Sequence, residues 1–95
     1  MQMDANGTIK VAGELTFATV NQIWQQSKAL LQKATTIQLN LQNVTQSDSA
    51  GVALLIEWAR EAQRQKKSIR FLQVPQQMRA IVRVSGLEKV LPIEN

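Results

Sequence analysis

Residues 37–55 read IQLNLQNVTQSDSAGVALL and contain the transition that decides the fold. Apolar and polar side chains alternate over residues 37–41, which is the period-two pattern of a strand that buries one face. The polar run 45–49 follows, and from Gly51 the apolar residues recur at helical spacing to about Gln65. The sequence therefore predicts a strand that leads through a short polar loop into an amphipathic helix.

Upstream of this transition the sequence predicts a first strand and a first helix. Residues 8–12 alternate between polar and apolar side chains and end at Gly13, which favours a turn. Thr16 is expected to cap the helix that follows, which reaches about Lys33. The apolar stripe of this helix consists of Phe17, Val20, Trp24, Ser27 and Leu31. We expect the stripe, Trp24 included, to pack into the core.

Downstream, a third strand and a third helix are predicted. Residues 69–71 alternate, and Pro75 suits the first turn of a helix that ends at Gly86, a residue typical of a left-handed C-cap. The apolar tail 87–93 is a candidate for one more edge strand. Strand and helix thus alternate three times, an order that predicts an α/β fold with parallel strand pairs.

The composition is that of one globular domain, and we expect residues 1–95 to form it. Of the 95 residues, 44% are hydrophobic and 19% are charged, and histidine and cysteine are both absent. Thiol nucleophiles, disulfides, Cys/His metal sites and the usual neutral-pH proton shuttle are therefore excluded, and we expect no enzyme, no metal and no cofactor. No apolar run approaches the roughly 20 residues of a membrane helix, which predicts a cytoplasmic protein.

The net charge of +4 is concentrated in residues 60–83, where seven basic residues accompany the single acid Glu61. If this stretch folds together, it forms one electropositive patch that could attract nucleic acid, an anionic membrane or an acidic protein. The stretch lacks the interleaved aromatic residues of single-strand binders and any groove-reading motif, so no nucleic-acid partner is expected.

Residues 46–51 join the buried strand to the start of the second helix, the usual place for ligands in open α/β sheets. One interpretation is that Asp48 or Ser49 simply caps the helix. The other is that Ser49 is a functional hydroxyl, because the positive end of a helix stabilises an oxyanion such as a phosphate.

A helical projection of residues 51–65 separates two faces. The expected core face carries Val52, Leu55, Ile56, Ala59 and Ala62. Leu54 and Trp58 fall on the other side, beside Arg60. They are either an exposed anchor for a partner protein, since Trp and Arg dominate interface hot spots, or they are covered by a neighbouring helix or the C-terminal tail.

Four segments in this order resemble the landmarks of the STAS domain family: VAGEL at 11–15, IQLNL at 37–41, DSAGVALL at 48–55 and SGL at 85–87. The resemblance spans nearly the whole chain. It implies a mixed β-sheet of about four strands, with three to four helices packed mainly on one face. It also implies a function in binding and switching, without catalysis.

The family includes anti-sigma factor antagonists and accessory subunits of Mla-type phospholipid ABC transporters, which maintain outer-membrane lipid asymmetry. The antagonists accept phosphate on a serine where this chain has Ala50, and they carry acidic residues where it has Thr16 and Asn40. The transporter subunits resemble the Asp48-Ser49-Ala50-Gly51 pattern and have a tryptophan in the first helix, like Trp24.

The resemblance therefore favours an accessory subunit that binds and regulates or stabilises the ATPase subunit of a Mla-type transporter. Such a subunit would be cytoplasmic and peripherally associated with the inner membrane through the transporter. The partner surface implied by the resemblance consists of Asp48, Ser49, Leu54, Trp58 and Arg60, with Ser49 as the regulatory hydroxyl or phosphosite. The alternative is an anti-sigma factor antagonist regulated by serine phosphorylation.

Overall fold

Strands and helices alternate along the computed structural model, which describes residues 1–94. The strands are β1 (Gln2–Met3), β2 (Thr8–Leu15), β3 (Ile37–Ser47), β4 (Ile69–Leu72) and β5 (Ile93–Glu94). The helices are α1 (Val20–Lys33), α2 (Ser49–Arg64) and α3 (Gln76–Val84). The predicted α/β fold is confirmed. Of the two short edge strands, β1 was not predicted, whereas β5 begins at the end of the predicted tail strand.

The sheet is mixed, with the strand order β1-β2-β3-β4-β5. β1 pairs with β2 in antiparallel orientation, and the other three pairs are parallel. Each parallel neighbour is reached through one helix, and right-handed crossovers in a sequential order place all three helices on the same side. The side chains of Ile9, Leu39 and Phe71 face the helices and are fully buried, whereas Lys10 and Arg70 on the opposite face are exposed.

Tertiary pairing extends β3 beyond its predicted end. Residues 45–47, predicted to lie in a loop, continue the strand because Gln46 and Ser47 pair with Glu14 and Leu15 of β2. The register between the two strands shifts twice along this pairing, each time with one extra residue on β3. The loop is thereby reduced to Asp48, and α2 begins at Ser49, two residues before the predicted start.

The predicted cap at Thr16 is wrong, because α1 begins only at Val20. The carbonyl oxygen of Thr16 accepts the N–H groups of Thr19 and Val20, at 2.9 Å each, so residues 16–19 form a separate turn. The Thr19 hydroxyl accepts the Thr16 N–H at 2.9 Å and donates to the Glu14 carbonyl at 2.8 Å. Phe17 therefore belongs to a turn and not to the apolar stripe of the helix.

The predicted ends of α3 are confirmed. Pro75 is its N-cap residue, and Gly86 adopts a φ of 72° just after its end. The N–H of Leu87 donates to the carbonyl oxygen of Val82 at 2.9 Å, which is the bond of a Schellman motif. Of the predicted tail strand, Ile93 begins β5, while residues 87–91 form a turn.

The basic stretch 60–83 does not form a single patch, which corrects that expectation. Its residues are divided between the helical side and the open side of the sheet, where Arg70 lies. Four of its arginines also pair with carboxylates: Arg60 with Glu57, Arg64 with Glu61, Arg70 with Glu94 and Arg83 with Glu88. Lys67 is used inside the fold, because its ammonium donates to the carbonyl oxygens of Leu31 and Gln32 at the end of α1.

Among residues 1–94, none of the helices combines the length and the apolar character that crossing a bilayer requires.

Candidate partner-binding site

Asp48 is the residue that caps α2. One carboxylate oxygen, Oδ1, accepts the backbone N–H groups of Ala50 at 2.9 Å and Gly51 at 3.2 Å. These two donors lack partners within the helix, so the carboxylate satisfies them and also complements the positive end of the helix dipole. Of the two capping candidates, the structure assigns the role to Asp48 and leaves Ser49 as the first, exposed residue of the helix.

The second oxygen of Asp48, Oδ2, accepts the backbone N–H of Phe17 at 3.1 Å. The pKa of Asp48 is lowered, and this hydrogen bond is the largest cause, since it favours the charged carboxylate. The carboxylate therefore remains ionised at neutral pH and links the start of α2 to the turn before α1.

Trp58 is fully buried and Leu54 is 4% exposed, so the hypothesis that they form an exposed anchor is wrong. The indole Nε1 of Trp58 donates to the hydroxyl of Ser27 at 2.9 Å, and that hydroxyl donates to the carbonyl oxygen of Trp24 at 2.7 Å. The alternative that a neighbouring helix covers these side chains is the one that the structure supports, and α1 is that helix. Of the predicted partner residues on the outer face of α2, Arg60 is exposed, and it pairs with Glu57 at 3.2 Å.

An apolar groove lies between the start of α2 and the first turns of α1. It has a volume of about 390 Å³. Its apolar lining consists of Phe17, Val20, Trp24, Ala50, Ala53 and Leu54. Leu54 is thus part of the groove although it is almost inaccessible, and Trp24, expected in the core, is half-buried and packs against the core while it lines the groove.

Phe17 is the functional candidate that the sequence pattern did not reveal. Its side chain is 84% exposed, although a phenylalanine usually buries most of its surface. The sequence feature that could have indicated this exposure is Thr19, a second hydroxyl residue three positions after Thr16. Threonine is a preferred N-cap residue, so the helix could also begin after Thr19. Because the helix begins only after Thr19, Phe17 lies in the preceding turn. Its side chain is therefore not part of the helix face that packs against the core.

The described residues contain no group of three or more His, Cys, Asp or Glu side chains placed to hold a metal ion. What the site offers is an apolar groove with an exposed aromatic side chain and, next to it, the exposed Ser49 at a capped helix start. This arrangement is suited to binding another protein.

Comparison with known proteins agrees with this description. The sequence profile of the family described as "Mlab, STAS domain" matches residues 2–92. The chain is also 32% identical over 84 residues to the intermembrane phospholipid transport system binding protein MlaB of Haemophilus influenzae. That alignment covers 84% of this chain and 80% of the relative.

Solved structures with the same fold include anti-sigma factor antagonists. The unphosphorylated form of the antagonist SpoIIAA superposes with a TM-score of 0.67 and 23% identity, over 99% of this chain and 84% of that chain. A candidate antagonist from Thermotoga maritima superposes with a TM-score of 0.79 and 13% identity, over 96% of this chain and 81% of that chain. At these identities the likeness establishes the fold alone.

Proposed function

Because the chain belongs to the MlaB-type STAS domain family, we propose that it is a non-catalytic accessory subunit of a Mla-type phospholipid ABC transporter. In this role it binds the ATPase subunit and regulates or stabilises it. The name of the Haemophilus relative, a binding protein of an intermembrane phospholipid transport system, supports the proposal. The protein would then act in the cytoplasm, held at the inner membrane by the transporter that maintains outer-membrane lipid asymmetry.

The observation that carries the proposal is the groove between α1 and α2 with Phe17 exposed at its rim. Full burial of a phenylalanine side chain contributes about 1.5–3 kcal/mol, so this residue alone favours a covered state. We propose that the partner covers Phe17, Trp24 and Ala53, with Ser49 at the edge of the contact.

The residues first expected at the interface take different parts in this revised surface. Leu54 lines the groove, while Trp58 supports it from inside the core. Ser49 and Arg60 are exposed on α2 and accessible to a partner, and Asp48 holds the start of that helix.

Binding of this kind shifts the equilibrium between states of the ATPase by mass action. A subunit that binds only the folded or productively assembled ATPase stabilises that state in proportion to the logarithm of its concentration over the Kd. The catalytic groups remain those of the ATPase, and this chain shifts an equilibrium between its conformations.

The first test measures the affinity of the purified chain for the Mla-type ATPase subunit encoded in the same genome, by isothermal titration calorimetry. Phe17→Ala is expected to weaken binding about thirtyfold or more, because truncation of an interface hot spot costs at least about 2 kcal/mol. Val84→Ala is the matched control, since Val84 is 88% exposed at the end of α3, outside the groove. Equal affinity of Phe17→Ala and wild type would remove the groove as the contact.

A second pair of variants tests the groove without deleting a large side chain. Ala53 of α2 and Ala80 of α3 are both exposed helical alanines, and Ala53 lines the groove. Ala53→Arg is expected to abolish binding by steric obstruction, whereas Ala80→Arg should leave it within about twofold of wild type. Circular dichroism checks that both variants fold, and equal binding by both would contradict the proposed surface.

The alternative function is that of an anti-sigma factor antagonist switched by phosphorylation. The exposure of Ser49 at the start of α2 favours it, while the likeness to SpoIIAA establishes only that the fold is shared. Ala50 argues against it, because this position holds the phosphate-accepting serine in the antagonists that the sequence resembles. Incubation with a cognate anti-sigma kinase and ATP, followed by intact mass measurement, separates the two functions: we expect no added phosphate, and phosphate on Ser49 would favour the antagonist.

A further inference from the structure

The carboxylate of Asp48 joins two segments that are distant in the sequence. Its Oδ1 atom serves the first turn of α2, and its Oδ2 atom accepts the N–H of Phe17, 31 residues earlier. A helix cap needs only one acceptor oxygen. The second oxygen is therefore available for a task that the cap does not explain.

A second contact shows that these two segments form one unit. Gly51 in the first turn of α2 lies so close to β2 that an added Cβ would be 2.2 Å from the carbonyl oxygen of Leu15. Leu15 is the last residue of β2 and directly precedes the turn that carries Phe17. The backbone of the turn and the start of α2 thus touch at Gly51 and are linked by a hydrogen bond at Asp48.

The hydrogen bonds of the turn close around Phe17, and the N–H of Phe17 itself bonds outside the turn, to Asp48. Thr16 and Thr19 are held by each other, and the Thr19 hydroxyl also donates to the carbonyl oxygen of Glu14. The Phe17 N–H donates to Asp48, and its side chain is almost fully exposed. This hydrogen bond thus holds the Phe17 N–H, which belongs to the backbone from which the aromatic ring projects.

We infer that Asp48 is a positioning residue of the partner-binding site, whose carboxylate fixes the backbone of Phe17 so that the aromatic side chain stands at the rim of the groove before the partner arrives. The existence of a binding partner is taken from the proposed function. The hydrogen bond between Asp48 and Phe17 is present in the isolated chain. Fixing an anchor in its bound position reduces the ordering cost of association and so tightens binding.

The chemistry of the side chain explains why an aspartate is suited to this position. Both oxygens of a carboxylate accept hydrogen bonds, so one residue can serve the helix start and Phe17 together. Asparagine caps helices as well as aspartate, but only one of its two terminal atoms is an acceptor. Serine also caps well, but its side chain is shorter and carries a single oxygen, so it cannot bridge both segments.

The first test uses the isolated protein and needs no partner. Amide hydrogen exchange by NMR is compared in wild type, Asp48→Asn and Asp48→Ser. We expect the Phe17 amide to exchange on the order of tenfold faster in Asp48→Ser, with the amides in the middle of α2 unchanged. In Asp48→Asn the loss should fall on either the Phe17 amide or the first amides of α2, because the one acceptor oxygen of asparagine can face only one of these two segments.

Asp4→Asn is the matched control for this measurement. The Asp4 carboxylate accepts the N–H groups of Asn6 at 2.9 Å and Thr8 at 3.0 Å, both between the end of β1 and the first residue of β2. Its replacement should leave the Phe17 amide unchanged. Unaltered protection of Phe17 in Asp48→Ser would overturn the inference, whatever the protein binds.

The second test asks whether Asp48 acts through Phe17. Asp48→Ser is expected to weaken binding to the ATPase subunit about fivefold in the wild-type background. In the Phe17→Ala background the same change should have almost no further effect, because the anchor is already absent. Independent, multiplicative losses would contradict a positioning role. If wild type does not bind the ATPase, the proposed function fails while the exchange experiment still decides the hydrogen bond.

Discussion

Gly51 sets how closely α2 approaches the end of β2. A methyl group at this position would meet the carbonyl oxygen of Leu15 at 2.2 Å, and a backbone atom cannot move aside as a flexible side chain could. The start of α2, and with it the residues at the rim of the groove, can reach its place only because this residue has no side chain.

We therefore expect Gly51→Ala to destabilise the protein by about 3 kcal/mol, because the steric conflict outweighs the helix propensity of about 1 kcal/mol that alanine gains over glycine. The measurement is urea unfolding followed by circular dichroism. Ala53→Gly, at an exposed site in the same helix, is the control and should lose about 1 kcal/mol from propensity alone. Higher stability of Gly51→Ala than of wild type would contradict the close approach.

Asp48 makes the stability of the fold depend on pH. Its pKa is lowered in the folded protein, chiefly by the hydrogen bond from the Phe17 N–H. A carboxyl group of this kind contributes stability that is fully present above its unfolded pKa and is lost as the pH falls through the lower folded pKa.

Asp48→Asn should accordingly be less stable than wild type at neutral pH, and the difference should shrink as the solution becomes acidic. The measurement is urea unfolding at about pH 7 and about pH 2.5, which lie above and below the ordinary pKa of an aspartate. Asp4→Asn controls for the loss of one negative charge from the chain. A difference between Asp48→Asn and wild type that stays constant across this range would show that the carboxylate charge is not involved.

At the scale of elements, α1 and α2 are joined by a buried polar contact within an apolar interface. Ser27 of α1 is fully buried, and its hydroxyl accepts the indole N–H of Trp58 on α2. A buried tryptophan needs a partner for its N–H group, and the small serine offers one without separating the helices. The pair therefore fixes the two helices that form the groove.

Ser27→Ala should destabilise the protein by about 1–3 kcal/mol, because it leaves the Trp58 N–H buried and unpaired, although alanine favours the helix. A double-mutant cycle with Trp58→Phe measures the coupling by urea unfolding. In the Trp58→Phe background, Ser27→Ala should cost much less, since no indole donor remains. Equal costs in both backgrounds would show that the hydrogen bond contributes nothing to stability.

On the scale of the whole molecule, the sheet is covered by helices on one face and open on the other. Parallel sheets are usually buried on both sides and consist of continuous apolar runs. Here the alternation of Leu39, Asn40 and Leu41 in a parallel strand matches a single covered face. All three helices pack on this one face, and how they pack against one another determines which of their side chains remain exposed to solvent.

The two tryptophans report this packing. Trp58 is fully buried, whereas Trp24 is half-buried at the groove, where the ammonium of Lys28 lies 5.8 Å from the centre of its ring. Fluorescence of Trp58→Phe, which retains Trp24, should be red-shifted and quenched readily by acrylamide. Trp24→Phe should give blue-shifted emission that is protected from the quencher. The reverse pattern would mean that the helices pack differently.

Much of the fold could be predicted from local patterns. Alternation over residues 37–41 showed that β3 buries one face, and Pro75 and Gly86 marked the ends of α3. The order of strands and helices, together with four short motifs, was sufficient for the family. These features are local because they depend on backbone propensity and on the spacing of apolar residues along one element.

The candidate site could be predicted only in part. Residues 46–51 indicated a capped helix start but left the cap open between Asp48 and Ser49 and placed the start two residues late. The exposed-anchor alternative named Trp58, whereas the exposed aromatic side chain is Phe17. A helical projection orders side chains around one axis and does not show how many neighbours that helix has. Only the tertiary structure decides that α1 covers Trp58 and that a turn before α1 holds Phe17 outside, because both outcomes depend on contacts between residues some 30 positions apart.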